Sequence, residues 1–159
     1  MVLEPQKRIS AKALSVWRIS GALLSIFAFL LAGGVIGLTI AFDWPMWIVG
    51  AALLFFAAFI YIFVMLIPSL KWRRWRYEVR ENEIELMSGV IVIKRTLVPM
   101  IRVQHVDTRQ GPLLRKYRLA TVAISTAATV HEIPALEIDE AEELRFFISN
   151  LARVADEDV

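Results

Sequence analysis

In the stretch LTIAFDWPMWIV, Leu38–Val49, one charged side chain, Asp43, interrupts an otherwise uncharged segment, and how far that segment extends decides the fold. No charged residue occurs from Ile19 to Phe42, and none from Trp44 to Leu70, which leaves uncharged runs of 24 and 27 residues. An α-helix crosses the roughly 30 Å hydrocarbon core in about 20 residues, so each run is long enough to span a bilayer with some tilt. Asp43, Trp44 and Pro45 leave room for a tight turn only. The reading is a transmembrane helical hairpin, with helices over 19–42 and 44–70. The first apolar run exceeds the roughly 7 to 15 residues of a signal-peptide core and a second span follows at once, so it is expected to be kept rather than cleaved.

The flanks set the orientation. Lys7, Arg8, Lys12 and Arg18 precede the first span, Lys71, Arg73, Arg74 and Arg76 follow the second, and the turn carries no basic residue. This bias puts both ends on the cytoplasmic side, residues 1–18 as a short N-terminal segment. Trp17, Trp44, Trp47, Trp72 and Trp75 fall near the expected interfaces, where an amphipathic ring prefers to sit. Inside the spans there is no charged residue to act as a proton relay or ion site, and two helices do not enclose a pore. Gly33 and Gly37 form a GxxxG with Gly34 and Ala32 beside them, a small-residue face open to close backbone approach. The approaching helix is either the second span or a partner. Pro68 reads as the exit of the second helix. Composition agrees with a membrane protein: 57% of the 159 residues are hydrophobic and mean hydropathy is +0.56. Cysteine is absent, which excludes disulfides and thiolate metal sites.

Beyond Lys71 the period changes to that of strands. RYEVR (Arg76–Arg80) and EIELM (Glu83–Met87) alternate and are joined by Glu81-Asn82, which predicts a hairpin with Glu81, Glu83 and Glu85 on a solvated face. Gly89 breaks the chain, and the β-branched run Val90–Val98 reads as a third strand. Along IRVQHVDTR, Ile101 and Val103 share a face but Val106 belongs to the other, a phase slip that predicts a β-bulge near Gln104 and His105. Gly111-Pro112 turns the chain into LLRKY, a helical turn or short strand. Arg118–Thr126 and Thr129–Leu136 form another hairpin through Ala127-Ala128. Asp139 and Glu142 have the spacing of a capping box, and Leu144, Phe147, Ile148 and Leu151 make the apolar stripe of a C-terminal helix. That stripe must be buried, and the sheet is the body available to bury it.

The two-span anchor followed by R-Y-E-V-R, V-P-x-x-R-V-Q-H-V-D, Q-G-P-L-L-R-K-Y and L-A-T-V-A-I-S-T-A resembles the bacterial pleckstrin-homology-like (PH-like) membrane proteins of the YdbS type. The resemblance runs over nearly the whole chain, and Val98–Thr126 is its most specific part. It implies an antiparallel PH-like barrel or sandwich over 71–159, capped by a C-terminal helix, on the cytoplasmic side of the bacterial plasma membrane. It implies no enzymatic activity and no catalytic residue, and it suggests association with a larger membrane partner carrying several copies of the domain. The chain departs from the family pattern at Arg118, where an aromatic-Gly-Leu step is usual, and at Ala128, where a T-A-G turn is usual.

Charge divides the soluble part: Lys71–Arg118 has twelve basic residues against five acidic, and Leu119–Val159 two against nine. Arg73, Arg74 and Arg76 flank the second span, whereas Arg102, Arg109, Arg115 and Lys116 lie too far along for that role and form a candidate lipid or partner contact edge. A basic surface beside the membrane is drawn to anionic lipid by about 1 kcal/mol per residue. No phosphate-binding glycine loop, nucleophile elbow or HExxH occurs. His105 and His131 stand alone with no metal-site motif, and the basic residues lack the interleaved aromatics of a nucleic-acid platform. No cofactor, metal or nucleic acid is expected. The expected role is a non-enzymatic interaction module that assembles with another membrane protein or with itself. The alternatives are anionic-lipid recognition and, behind it, an accessory subunit of a transporter.

Overall fold

The computed structural model describes residues 5–157; residues 1–4 and 158–159, the outer ends of the expected N-terminal segment and soluble domain, lie outside the described residues. The chain forms two units: Trp17–Leu70, helical on both sides of a turn at Phe42–Met46, and a second built from the segment up to Val16 together with Lys71–Val159.

In the helical unit, α1 (Lys12–Ala41) and α2 (Trp47–Arg74) carry the two uncharged runs. Asp43 takes a positive φ of 51° in the turn, where Asp is among the residues that tolerate the left-handed region. Helix α2 does not end at Pro68. It continues to Arg74 by widening to a π-helical stretch over Tyr61–Leu66, where the Ile67 amide donates to the Ile62 carbonyl. Proline has no amide donor and its ring crowds the carbonyl one turn back, so a wider turn just before Pro68 lets the helix go on. The hairpin closes on α1 through Ser25, Ala28, Ala32 and Thr39, which are buried. Phe29 meets Phe56 with ring centroids 5.7 Å apart. The two helices approach closely at Gly21, where a Cβ would collide with the Phe63 carbonyl.

Among the described residues, the soluble unit holds seven antiparallel strands in two sheets. The first is ordered β1-β2-β3-β4, from β1 (Lys7–Arg8), β2 (Arg76–Val79), β3 (Glu83–Ser88) and β4 (Lys94–Pro99). A 3₁₀ turn, Met100–Arg102, leads to the second sheet of β5 (Val103–Arg109), β6 (Leu119–Thr126) and β7 (Val130–Glu137), in that order. Helix α3 (Pro112–Lys116) links β5 to β6, and α4 (Ile138–Glu157) ends the chain. This is the antiparallel, helix-capped PH-like body expected. Fully buried side chains come from both sheets and from α4: Tyr77, Ile84, Met100, Leu119, Ile124, Ile133, Leu136 and Ile148 among them.

Several expectations change. The soluble unit is not the contiguous piece 71–159, because β1 precedes the hairpin and pairs with β2, Lys7 opposite Tyr77 and Arg8 opposite Arg76. A strand before the first span and a strand after the second thus share one sheet, which requires both ends on the same side of any bilayer the hairpin crosses. The third strand starts at Lys94, not Val90; Val90–Ile93 is a loop. Trp75 is buried in the soluble unit instead of standing as an interfacial anchor. Glu85 is not on a solvated face: only 7% exposed, it accepts a hydrogen bond from Arg95 Nη2 at 2.7 Å, a diagonal cross-strand pair. The helix begins at Ile138, which places Asp139 inside its first turn, and Glu142 is engaged by Thr108 and Arg145 instead of a cap. On α4 the buried stripe is Ala141, Leu144 and Ile148, with Phe147 exposed. At about 100° per residue Phe147 stands roughly 60° from Leu144, on the margin of that stripe. The bulge is present as expected: the β5–β6 register shifts between Val103 and His105, leaving Gln104 unpaired.

Candidate contact surfaces

The basic residues singled out from the sequence are spread over separate elements. Arg73 and Arg74 close α2, Arg76 opens β2, Arg102 ends the 3₁₀ turn, Arg109 ends β5, and Arg115 and Lys116 lie on α3. Arg109 reaches Glu132 on β7, Nη1 to Oε1 3.6 Å, so part of the basic edge is matched within the domain. Arg102, Arg115 and Lys116 are exposed. Arg74 donates from Nη1 to the Val90 carbonyl, which fixes the β3–β4 loop to the end of α2.

That loop went unmarked in the sequence as a surface feature. Ile91 is 90% exposed, Val92 79% and Ile93 52%, and Lys94 and Arg95 follow directly. Gly89 makes the turn possible, with φ of 144° and no room for a Cβ against the Val92 carbonyl. The sequence signal was there, a Gly followed by four β-branched residues, but hydrophobicity does not say what buries it.

On the outer side of the first sheet, Arg80 binds Glu78 at 3.2 Å, Glu83 at 3.1 Å and Glu85 at 3.5 Å, and Arg95 completes the network on Glu85. These charges satisfy each other. Tyr77 donates its hydroxyl to Glu140 at 2.7 Å, and burial pushes its pKa well above the ordinary phenol value, so it stays a neutral donor. Beside this pair a cleft is lined by Lys7, Leu144, Phe146 and Phe147. His105 is exposed, with Nε2 3.5 Å from Asp107. Among the described residues no three His, Asp or Glu side chains gather as a metal site would need.

In α1, Gly33 and Gly37 turn away from the hairpin contact. Among the described residues no heavy atom lies within 4 Å of a Cβ built at Gly33, Gly34 or Gly37. Relative to buried Ala32, Gly33 and Gly37 stand about 100° and 140° around the helix. Of the two partners considered for this face, the second span meets Gly21 instead.

Together the hairpin, the two sheets and the capping helix define a membrane-anchored PH-like protein, and the chain belongs to the bacterial PH domain family, which matches it over residues 21–152. It is 51% identical over 156 residues to the UPF0699 transmembrane protein YdbS of Bacillus subtilis (strain 168), covering 98% of each chain. It is also 26% identical over 90 residues to the UPF0699 transmembrane protein YdbT of the same organism, a match covering 54% of this chain and 18% of that protein. No solved structure matches it.

Proposed function

We propose that this chain is a non-enzymatic PH-like interaction module, held with its soluble unit at the cytoplasmic face of the bacterial plasma membrane, that assembles with another membrane protein of its family or with itself. The observation that carries this reading is the division of α1 into two faces. One, with Gly21, Ser25, Ala28 and Ala32, serves the chain's own hairpin, and the other, with Gly33 and Gly37, is left open. In lipid there is no hydrophobic force to bring helices together, so close packing at small residues is a main source of association. YdbT, in which the similarity covers a small part of a much longer transmembrane protein, represents the class of partner. The orientation rests on the basic flanks at both ends.

Crosslinking of the full chain, purified in mild detergent from its native membrane, tests the proposal. Assembly with itself or a co-purifying membrane protein is expected, and Gly33→Ile combined with Gly37→Ile should abolish it while the thermal unfolding profile is retained. A strictly monomeric, partnerless wild-type chain would sink the idea. So would assembly unchanged in the double variant.

A further inference from the structure

The β3–β4 loop combines four features. Its tip, Ile91-Val92-Ile93, is three consecutive large apolar side chains standing in solvent. A soluble surface rarely leaves such a run uncovered unless something covers it. Its entry turn requires glycine, because Gly89 holds a backbone conformation that side chains rarely adopt and leaves no room for a Cβ against the Val92 carbonyl. It is anchored, because Arg74 holds the Val90 carbonyl. Arg74 also ends the helix whose uncharged run stops at Leu70, four residues earlier and about 6 Å along the helix axis. The loop is thus tied to the segment by which the chain leaves the bilayer. Finally, Lys94 follows the apolar tip directly, and exposed Arg73 adjoins Arg74, the residue that holds the loop.

We infer that the loop Val90–Ile93 is a second membrane contact, dipping its apolar tip into the headgroup–acyl boundary of the leaflet from which the hairpin emerges. An apolar tip followed by cations is the arrangement that suits this boundary: aliphatic groups reach the acyl chains, while Lys94 and Arg73 remain among anionic headgroups. The boundary is hydrated enough to satisfy the loop's free backbone groups, which the hydrocarbon core is not. The bilayer is favoured over a protein occupant by the tether to the membrane exit and by the flanking positive charge. The inference does not rest on assembly through α1.

The absence of cysteine makes the test direct. Ile91→Cys, Val92→Cys and, as a control in the β6–β7 turn, Ala127→Cys are labelled with a polarity-sensitive fluorophore on the full chain. Each is reconstituted in vesicles of neutral phosphatidylcholine and of phosphatidylcholine with phosphatidylglycerol. The labels at 91 and 92 should show blue-shifted emission, quenching by lipid-borne quenchers and loss of quenching by aqueous iodide, while the label at 127 behaves in the opposite way. Lys94→Gln should reduce lipid quenching in the anionic vesicles and leave the neutral ones unchanged. Iodide access at 91 equal to that at 127 overturns the proposal. So does protection from both quenchers, which would mean that a protein, such as a second copy, covers the loop. An unlabelled Ile91→Ser, Val92→Ser variant with wild-type thermal unfolding shows that the loop is not a core element; unfolding of that variant overturns the proposal as well.

Discussion

Arg118 shows how a single position departs from what its backbone asks for. It has a φ of 55°, is exposed, and follows the last turn of α3, its amide donating to the Arg115 carbonyl at 3.1 Å. Its own carbonyl accepts from Ile138 at 3.2 Å and so helps set the start of α4. The sequence marked this step because a glycine is usual there in chains of this pattern. The structure keeps the turn and places the arginine in the left-handed region, at a cost of about 1 to 2 kcal/mol for a side chain with a Cβ. Glycine would relieve that strain but lose about 0.5 to 1 kcal/mol through the greater freedom of the unfolded chain. Arg118→Gly is therefore expected to stabilise the protein by about 0.5 to 1 kcal/mol, read as a higher midpoint in thermal unfolding of the full chain in detergent. A lower midpoint would mean that the Arg118 charge beside Glu137 outweighs the backbone. The other missing glycine has a different replacement: at Ala127-Ala128 the turn is closed by Thr126, whose Oγ1 donates to the Thr129 carbonyl at 2.8 Å and accepts from the Thr129 amide at 3.2 Å.

Elements meet where the N-terminal segment joins the second sheet. The β6–β7 register shifts between Ala120 and Val122, and Ala135, with φ of 53°, presents its carbonyl to the Ser10 amide at 3.2 Å. The indole of Trp72 donates to the Ser10 carbonyl at 3.1 Å. Lys12, first residue of α1, lies 2.9 Å from Glu137 at the end of β7, and the Ser10 hydroxyl donates to the same carboxylate at 3.2 Å. The hydrogen bond from Lys12 is the main reason why the Glu137 pKa lies below the ordinary carboxylate value. Glu142 is lowered too, first by its hydrogen bond from Thr108 and then by Arg145. A carboxylate whose folded pKa is depressed favours the folded state at every pH above its unfolded value, about 4.3, and that contribution is lost as pH falls through the folded pKa. Unfolding midpoints at successive pH values below about 5 should fall in the wild type, and Glu137→Gln, which has no proton to gain, should show a shallower fall. Identical slopes would separate this contact from acid sensitivity. The Glu137 side chain is 45% exposed and Glu142 is exposed, so the difference is expected to be small. What the sequence revealed at this scale was what lies in local pattern: two long uncharged runs, the Tyr77/Val79 and Ile84/Leu86 alternation, and the phase slip at Gln104. It did not reveal contacts between distant segments. Nothing near Lys7-Arg8 marks a strand, because two residues carry no period, and the run Val90–Ile93 has the same β-branched composition whether a sheet buries it or lipid does. The burial of Trp75 and Glu85 is not legible in local pattern for the same reason, since it is decided by partners elsewhere in the chain.

For the whole molecule, the consequence of the β1–β2 pairing is that the transmembrane hairpin is an insertion within a soluble unit. The chain starts the first sheet, leaves for 54 residues from Trp17 to Leu70, and returns to pair Arg76 and Tyr77 with Arg8 and Lys7. A fragment starting at Lys71 therefore lacks more than an anchor. It loses β1, which covers the outer edge of β2, and it loses the partners of the Ala135 carbonyl, the Trp72 indole and the Glu137 carboxylate. An uncovered edge strand is also a template for pairing with other chains. The Ser10 carbonyl lies within hydrogen-bond reach of Trp72, so residues 5–12 can be rejoined to 71–157 through a short Gly/Ser linker without moving either segment far. The prediction contrasts two soluble proteins, 71–157 alone and 5–12 joined to 71–157. The joined form should be monomeric and unfold cooperatively at a clearly higher temperature, with slow amide exchange at Arg76 and Tyr77. The fragment alone should have a lower midpoint, fast exchange at whichever of those two amides faces β1, since successive amides of a strand point to opposite neighbours, and a tendency to self-associate. Equal midpoints and equal exchange would show that β1 adds nothing to the sheet. In that case the soluble unit would be a contiguous domain, whereas the pairing seen here assembles it from segments on either side of the hairpin in sequence.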